Sequence, residues 1–152
     1  MKIGSILEDQ KVEKRIAITP EIIKKYVSLG FEVCLSENYG SHLGIDDDQY
    51  TGSGAKILKS EKEILNSSDI IVQLGILSED KTKHIKENQT LIGVLNPYEN
   101  KEKLENLVKK NINLFSLEML PRITRAQSMD ILSSQANLAG YKAVIESFGN
   151  FE

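Results

Sequence analysis

Residues 69–74, DIIVQL, form a nearly uninterrupted apolar run in a chain that is otherwise rich in charged side chains. A strand that is apolar on both sides is covered on both faces of its sheet, which is the situation of a central strand in a parallel sheet. Similar short runs follow at residues 90–95 and 112–117, each after a segment with helical features. This alternation predicts an α/β fold, a mostly parallel sheet with helices on both faces.

The same alternation extends towards both ends of the chain. Thr19, Pro20 and Glu21 suit an N-cap, a first helical position and a first helical turn, and Gly30 ends that helix. Ser60 and Glu63 form a capping-box pattern. The sequence therefore predicts a Rossmann- or flavodoxin-like arrangement. Its strands span residues 2–7, 31–35, 55–58, 69–74, 90–95 and 112–117, and its helices span 20–29, 60–65, 78–86 and 100–110, with a short one from Asp46 and a last one to about Phe148.

Composition restricts the functional classes. The 152 residues predict a single domain with a real core, and a net charge of -3 without a basic, aromatic-rich stripe argues against a nucleic-acid partner. The one cysteine, Cys34, excludes a disulfide framework and a cysteine-based zinc site, and its apolar surroundings predict a buried small hydrophobe. No signal peptide and no apolar run of about 20 residues is found, so we expect a soluble, cytoplasmic chain.

Motifs for common catalytic sites are missing. The first strand does not lead into a G-x-G-x-x-G turn, and the chain has no P-loop and no nucleophile elbow. The three adjacent acids that begin at Asp46 are interpreted as helix capping, because side chains one residue apart on a helix diverge. His42 and His84 have no neighbouring metal-spaced ligands and are interpreted as loop or surface residues. We predict no metal site and no complete active site.

Arg15 is a first candidate for ligand binding. It lies in EKRIAITP, residues 13–20, in a loop at the predicted C-terminal edge of the first strand. Ligands of parallel sheets bind at that edge. The alternative interpretation is a surface arginine on a charged loop.

Residues 121–143, PRITRAQSMDILSSQANLAGYKA, differ chemically from the other helical segments. Asp130 is the only charged residue between Arg125 and Lys142. The remaining polar residues are short and uncharged, and such side chains form specific hydrogen bonds in half-buried places. Helical spacing would place four of them on one stripe, with Ser133 at its edge: Gln127, Asp130, Ser134 and Asn137.

Two interpretations of this stretch remain open. Small residues form a second face that permits close approach of another element, namely Ala136, Ala139, Gly140 and Ala143. The structural interpretation is a helix end buried against its own domain or against a sister subunit. The functional interpretation is a loop and helix start that hold a polar, anionic ligand, with Arg122 and Arg125 as anion-binding guanidiniums. The groups present suit the pyrophosphate, ribose and carboxamide of a nicotinamide dinucleotide.

Residues 121–144 resemble the signature of the N-terminal domain of the proton-translocating NAD(P) transhydrogenase alpha subunit, within the alanine dehydrogenase/transhydrogenase superfamily. The resemblance covers the whole chain. KIGSILEDQKVEKRIAITPE, residues 2–21, is similar to the family's opening segment. SDIIVQLGIL and LIGVLNPYEN, residues 68–77 and 91–100, occupy its later strands.

The resemblance implies site residues and a reaction. The signature loop would reach NAD(H) held on a second, Rossmann-type subdomain, with Arg122 facing the charged cofactor. Gln127 would lie near the nicotinamide ribose and the incoming second nucleotide, and Asp130 and Ser133 would hold the nicotinamide end. The implied reaction is direct hydride transfer between NAD(H) and NADP(H), which regenerates NADPH and is coupled to proton movement. Gln127 and Asp130 are the implied catalytic residues, acting by positioning the two nicotinamides.

The resemblance also implies an assembly. NAD is the expected cofactor here, with NADP bound on a partner subunit. The expected partners are the Rossmann half, the membrane and NADP-binding subunits and a second copy in a homodimer, on the cytoplasmic side of the inner (plasma) membrane. The glycine-rich subdomain that follows in family members is absent from these 152 residues. We therefore expect a fragment, a split gene product or a truncated one, inactive alone.

Two other functions compete with this one. The chain would be a non-catalytic interaction or dimerisation domain if only the fold and the dimer surface are retained. It would alternatively be an alanine dehydrogenase-like oxidoreductase. Those enzymes use a lysine and a histidine for the keto acid, at positions that match Gln73 and Asn96. Two amides provide neither a cationic carboxylate binder nor a titratable imidazole, which argues against that function.

Overall fold

A computed structural model describes residues 1–151 of the chain. The chain forms two compact units, Met1–Ser116 and a C-terminal unit that begins at Leu117. Among the residues described, no helix combines the length and the apolar character needed to cross a membrane.

The N-terminal unit is built on a six-stranded sheet in which every neighbouring pair of strands is parallel. The strand order is β3-β2-β1-β4-β5-β6, which is the Rossmann order and changes direction between β1 and β4. The predicted α/β fold with a parallel sheet is therefore confirmed. The strands are β1 Lys2–Ser5, β2 Glu32–Ser36, β3 Ala55–Leu58, β4 Ile70–Val72, β5 Thr90–Gly93 and β6 Asn113–Ser116.

Helices cover both faces of this sheet. The helices of the unit are α1 Pro20–Ser28, α2 Asp47–Gly52, α3 Glu61–Ser67, α4 Glu79–Thr82 and α5 Lys101–Val108. One core contains Ile23 of α1 and Tyr50 of α2, and the opposite core contains residues of α3 and α5. In β4, Ile71 points into the second core while Ile70 and Val72 pack against the first. Contact on both sides explains why this strand is a continuous apolar run.

The predicted helix ends are found where their capping residues indicated. Asp46 precedes α2, and its backbone N–H donates to Gln49 Oε1 over 3.1 Å. Ser60 Oγ accepts from the Glu63 backbone N–H over 3.3 Å. Gly30, with φ 85°, follows α1 in the left-handed region, where glycine is favoured. Cys34 is buried as predicted, at 1% exposure.

Several predicted elements are too long, and the predicted strands 2–7 and 90–95 end at Ser5 and Gly93. The predicted strand 69–74 ends at Val72, although the Gln73 backbone N–H still donates to Ile92 O over 2.9 Å. The predicted helix 78–86 is a single turn, Glu79–Thr82. After that turn the chain tightens so that Ile85 enters the core at 5% exposure. Ile85 is the apolar side chain of the otherwise polar segment 78–86. Its burial accounts for the end of the helix after one turn.

The C-terminal unit is helical. Two 3-10 helices, Leu117–Met119 and Thr124–Met129, precede the long helix α6, Ile131–Gly149. Helix α6 ends one residue beyond the predicted Phe148. None of its residues is buried, although apolar side chains occur on all sides of it.

Candidate functional site

All four predicted site residues line one shallow pocket of the C-terminal unit. Arg122, Gln127, Asp130 and Ser133, together with Ile123 and Thr124, surround about 220 Å³. The loop before the second 3-10 helix, that helix and the first turn of α6 each supply part of the wall. The bend between the two helices brings these side chains together.

Asp130 forms this bend because it is the N-cap of α6. Its Oδ1 accepts from the backbone N–H groups of Leu132 at 2.9 Å and Ser133 at 3.1 Å. Its Oδ2 accepts from Ser133 Oγ over 2.6 Å. Hydrogen bonds from the Ser133 side chain and backbone lower the pKa of Asp130, and the positive charge of Arg122 adds to the effect. The side chain is therefore an ionised carboxylate at neutral pH and a poor general base.

The predicted single helical stripe is wrong. Gln127 lies in the 3-10 helix that ends at Met129, and Asp130 is extended, with φ -74° and ψ 99°. Ser134 and Asn137 belong to α6, which begins only at Ile131, so they do not continue the same stripe. A capping aspartate starts a new helix, which helical spacing applied across residues 127–137 does not take into account.

The pocket can recognise a ligand that has both donors and acceptors. Because the Ser133 hydroxyl hydrogen points to Asp130, Ser133 Oγ is left as an acceptor, and Asp130 Oδ2 retains a further lone pair. The Gln127 amide supplies both donors and an acceptor, and Arg122 supplies a cation. About 220 Å³ is less than the roughly 300–1,000 Å³ of pockets that enclose whole drug-sized ligands. The pocket therefore suits one end of a larger ligand.

A second polar cluster lies in the N-terminal unit, where the strand order changes direction. Gln73, which is 2% exposed, accepts from the Ile6 backbone N–H with its Oε1 over 2.8 Å. Its Nε2 donates to Glu8 Oε1 over 3.1 Å. Glu8 also accepts from the backbone N–H groups of Leu74 at 2.5 Å and Gly75 at 3.3 Å. Burial raises the pKa of Glu8, although the two backbone donors act in the opposite direction.

Tyr39 extends this polar cluster through the hydrogen bonds of its hydroxyl group. Its hydroxyl accepts from the backbone N–H groups of Ala17 at 3.2 Å and Ile18 at 3.3 Å, and it lies 2.7 Å from Ser5 Oγ. Ser5 Oγ in turn donates to Val72 O over 2.6 Å. Burial raises the pKa of Tyr39 to about 12. These hydrogen bonds connect β1 to β4. They also pair the polar groups in the crevice between these two strand ends with one another.

The other residues considered from the sequence are engaged in local structure. Arg15 is paired with Glu13, with Nε 2.8 Å from Oε1 and Nη2 2.6 Å from Oε2, and is 52% exposed. His42 is exposed, with Nε2 2.8 Å from Lys14 O, and His84 is half-buried. Asn96 is exposed three residues beyond β5, with φ 45°. The arrangement of Arg15 is that of a surface arginine on a charged loop.

Sequence reasoning missed Glu8 and Tyr39. Glu8 lies three residues beyond β1, at the edge where ligands of parallel sheets bind, but it begins a run of charged residues that is typical of a solvated loop. Tyr39 follows β2 in a glycine-containing segment that resembles a plain loop. The available signal in the sequence was that each residue follows shortly after the end of a strand.

Residues 5–139 match the family model of the alanine dehydrogenase/PNT N-terminal domain. The chain belongs to this family. It is 42% identical over 156 residues to the Rhodospirillum rubrum protein named as the first part of NAD(P) transhydrogenase subunit alpha, covering 99% of this chain and 41% of that protein. It is 40% identical over 151 residues to the Rickettsia prowazekii protein of the same name, covering 97% of this chain and 39% of that one.

A solved structure of this family supports the fold. The crystal structure of the transhydrogenase from Sinorhizobium meliloti superposes with a TM-score of 0.91 at 34% identity, over 100% of this chain and 45% of that one. The chain thus spans about two fifths of the length of the curated relatives it matches. The match to the family model extends across both compact units.

Proposed function

We propose that this chain is the N-terminal part of the NAD(H)-binding alpha subunit of a proton-translocating NAD(P) transhydrogenase. Its contribution is the loop that contacts the nicotinamide end of NAD(H). The observation behind this proposal is that Arg122, Gln127, Asp130 and Ser133 line one pocket. Similarity to transhydrogenase alpha subunits over nearly the whole chain supports it.

The chemistry of the pocket fits the nicotinamide end of the cofactor. A carboxamide NH₂ or a ribose hydroxyl would donate to the free lone pair of Asp130 Oδ2 or to Ser133 Oγ. The carboxamide oxygen would accept from Gln127, and the pyrophosphate would be attracted by Arg122. Bound NAD(H) supplies the hydride chemistry. The residues of this chain would bind and orient the ring, and none needs to act as a base.

Gln127 and Asp130 would act in catalysis by positioning. Holding two reacting groups in the correct geometry removes much of the entropic barrier to a bimolecular step. Asp130 is itself fixed by three hydrogen bonds from Leu132 and Ser133, so its free lone pair has a defined direction. Gln127 lines the pocket and is exposed, so that a second nucleotide would be able to approach it.

The remaining parts of the reaction lie outside these 152 residues in this proposal. A Rossmann-type half holds the rest of NAD(H), a partner subunit binds NADP, and membrane subunits couple hydride transfer to proton movement. The chain would act as a homodimer at the cytoplasmic side of the inner membrane. An alanine dehydrogenase-like function is less well supported, because the Gln73 amide is already bound by Ile6 and Glu8 and offers no cation for a keto acid.

Replacing Gln127 with alanine in the complete assembly tests this role. Steady-state hydride transfer between NADH and NADP should slow about tenfold or more, while the affinity for NADH changes by less than about threefold. Gln135→Ala is the matched control, because Gln135 is an exposed amide on α6 that does not line the pocket. Unchanged turnover in the Gln127→Ala assembly would remove the proposed catalytic role.

A further inference from the structure

The pocket of the C-terminal unit contains an apolar side chain that the proposed hydrogen bonds do not use. Arg122, Gln127, Asp130 and Ser133 supply the charged and hydrogen-bonding groups described above. Among the described residues that line the pocket, Ile123 is the one with a purely aliphatic side chain. It is 55% exposed, so a ligand in the pocket can reach it. Ile123 therefore offers the ligand an apolar contact.

Two hydrogen bonds hold the backbone of Ile123 in place. Its N–H donates to Pro121 O over 2.9 Å, and its carbonyl oxygen accepts from the N–H of Ala126 over 2.9 Å. Ala126 is buried, at 5% exposure, so the second bond joins Ile123 to a packed part of the unit. Isoleucine is branched at Cβ, which restricts rotation about χ1. The methyl groups of Ile123 thus have a defined position, although the side chain is exposed.

The two charged groups of the pocket partly offset each other. Hydrogen bonds from Ser133 are the main cause of the lowered pKa of Asp130, and the positive charge of Arg122 contributes to it. The carboxylate and the guanidinium are thus close enough to interact. A ring that enters the pocket meets one negative and one positive group, which together distinguish weakly between an uncharged and a positively charged ring. The apolar contact is left to distinguish between them.

We propose that Ile123 packs against one face of the nicotinamide ring and makes the pocket prefer the reduced form. This inference rests on the proposed function. The dihydronicotinamide ring is uncharged, whereas the oxidised ring carries a positive charge. Moving a charged group from water onto an aliphatic side chain is costly, and moving an uncharged ring there is favourable. Ile123 is therefore a residue that determines specificity for the oxidation state of the ligand.

The division of polar and apolar groups in the ligand favours the ring as the partner of Ile123. The carboxamide and the ribose hydroxyls are polar and match Gln127, Asp130 and Ser133. The flat face of the ring has no hydrogen-bonding group and is the part that gains from an aliphatic neighbour. Contact with one ring face buries on the order of 40 Å² of apolar surface, which corresponds to about a fivefold change in affinity.

The ratio of two dissociation constants measures this preference. Reduced and oxidised nicotinamide mononucleotide are each titrated into the 152-residue chain, and NMR chemical shifts give both constants. Ile123→Gln should weaken binding of the reduced mononucleotide about fivefold and that of the oxidised one less than about twofold. Ile123→Val keeps an aliphatic contact and should leave the ratio within about twofold of wild type. Ile145→Gln is the matched control, because Ile145 is 53% exposed on α6 and does not line the pocket.

Nuclear Overhauser effects test the contact itself. In a chain with labelled isoleucine δ1 methyl groups, the Ile123 signal is identified by its loss in Ile123→Val, because valine has no δ1 carbon. With reduced nicotinamide mononucleotide present, this methyl group should show Overhauser effects to ring protons of the ligand, and the Ile145 methyl group should show none. A residue that only supports the fold of the loop would not give this signal. Effects confined to ribose protons would overturn the proposal in favour of a sugar contact.

The Arg122→Ala variant separates this inference from the proposed function. Binding of the mononucleotides that is lost in Arg122→Ala, together with a changed ratio in Ile123→Gln, is the expected result. Binding that depends on Arg122 but weakens equally for both mononucleotides in Ile123→Gln, or does not change, overturns the role of Ile123 and leaves the proposed function standing. Absence of binding, or binding that persists unchanged in Arg122→Ala, overturns both.

Discussion

Two carboxylates in this chain show opposite effects of their surroundings. Asp130 receives three hydrogen bonds as the N-cap of α6, and the donors lower its pKa. Glu8 also receives two backbone hydrogen bonds, but burial outweighs them and raises its pKa. The same side-chain chemistry therefore gives a carboxylate that is harder to protonate in the pocket and a carboxylate that protonates more readily between β1 and β4.

Glu8→Gln should change the pH dependence of stability. Because the folded pKa of Glu8 is raised above its ordinary value of 4.5, the folded chain binds the proton more tightly, and its stability falls as pH rises from about 4.5 through the folded pKa. The glutamine variant lacks this component. The difference in unfolding free energy, variant minus wild type, should therefore increase across that window and then remain constant.

Urea unfolding of both proteins at several pH values measures this difference. Glu79→Gln is a suitable control, because Glu79 is exposed in the first turn of α4. A difference that is flat with pH, or that decreases, would contradict the raised pKa of Glu8.

At the scale of elements, the close approach of β4 and β5 depends on glycine. A Cβ atom at Gly93 would lie 2.3 Å from the carbonyl oxygen of Gln73, which is backbone and cannot rotate away. The backbone would have to shift, and Gln73 anchors the hydrogen bonds to Ile6 and Glu8. Close packing at Gly93 therefore keeps Gln73 in the position from which it makes these two hydrogen bonds.

Gly93→Ala should lower the free energy of unfolding by about 1–3 kcal/mol, the usual cost of forcing atoms into a packed region. Gly52→Ala is the control, because nothing lies within 4 Å of its added Cβ, and its effect should stay within about 0.5 kcal/mol or be stabilising. Urea unfolding followed by circular dichroism measures both. Equal stability of the two variants would show that the strands separate at little cost.

The elements that sequence predicted well are those determined by local chemistry. The continuous apolar run 69–74 indicated a strand covered on both sides, and Asp46 and Ser60 indicated helix starts through their caps. The length of α4 could not be predicted in this way, because a single buried contact of Ile85 decides it. Helical spacing also failed at Asp130, where a cap interrupts the periodicity.

The candidate site was predictable in its members but not in its geometry. Arg122, Gln127, Asp130 and Ser133 were identified from residue type and family resemblance, and their common pocket arises from a bend that spacing did not indicate. Glu8 and Gln73 are 65 positions apart, and only the pairing of β1 with β4 brings their side chains together. Long-range contacts of this kind have no local signal.

At the scale of the whole molecule, the exposed surface of α6 is the least typical of a surface that faces solvent. It is 19 residues long, and none of its residues is buried. Leu138 and Tyr141 are 61% and 70% exposed, and the predicted small-residue face around Gly140 has open space beside it. A helix that is apolar on all sides is usually buried. Packing of α6 against a further subdomain or a sister subunit remains a prediction that agrees with this exposure.

The 152-residue chain alone should bind NADH very weakly. The pocket of about 220 Å³ accommodates one end of a dinucleotide, and the sequence has no glycine-rich turn to hold the pyrophosphate. Two or three hydrogen bonds contribute roughly 1 kcal/mol each, or about 2 where a charge takes part. The total of about 4 kcal/mol corresponds to a dissociation constant near 1 mM, before the cost of ordering the ligand is subtracted.

Isothermal titration calorimetry on the isolated chain tests this expectation, and two ligand fragments make the test specific. Reduced nicotinamide mononucleotide should bind about as weakly as NADH, because it contains the end that fits the pocket. AMP should show no binding, because nothing in the pocket is matched to adenine. Micromolar affinity for NADH, or for AMP, would reveal a nucleotide site elsewhere in the chain. Loss of the weak NADH signal in the Arg122→Ala variant, with its retention in Arg125→Ala, would locate the binding at the pocket, since only Arg122 lines it.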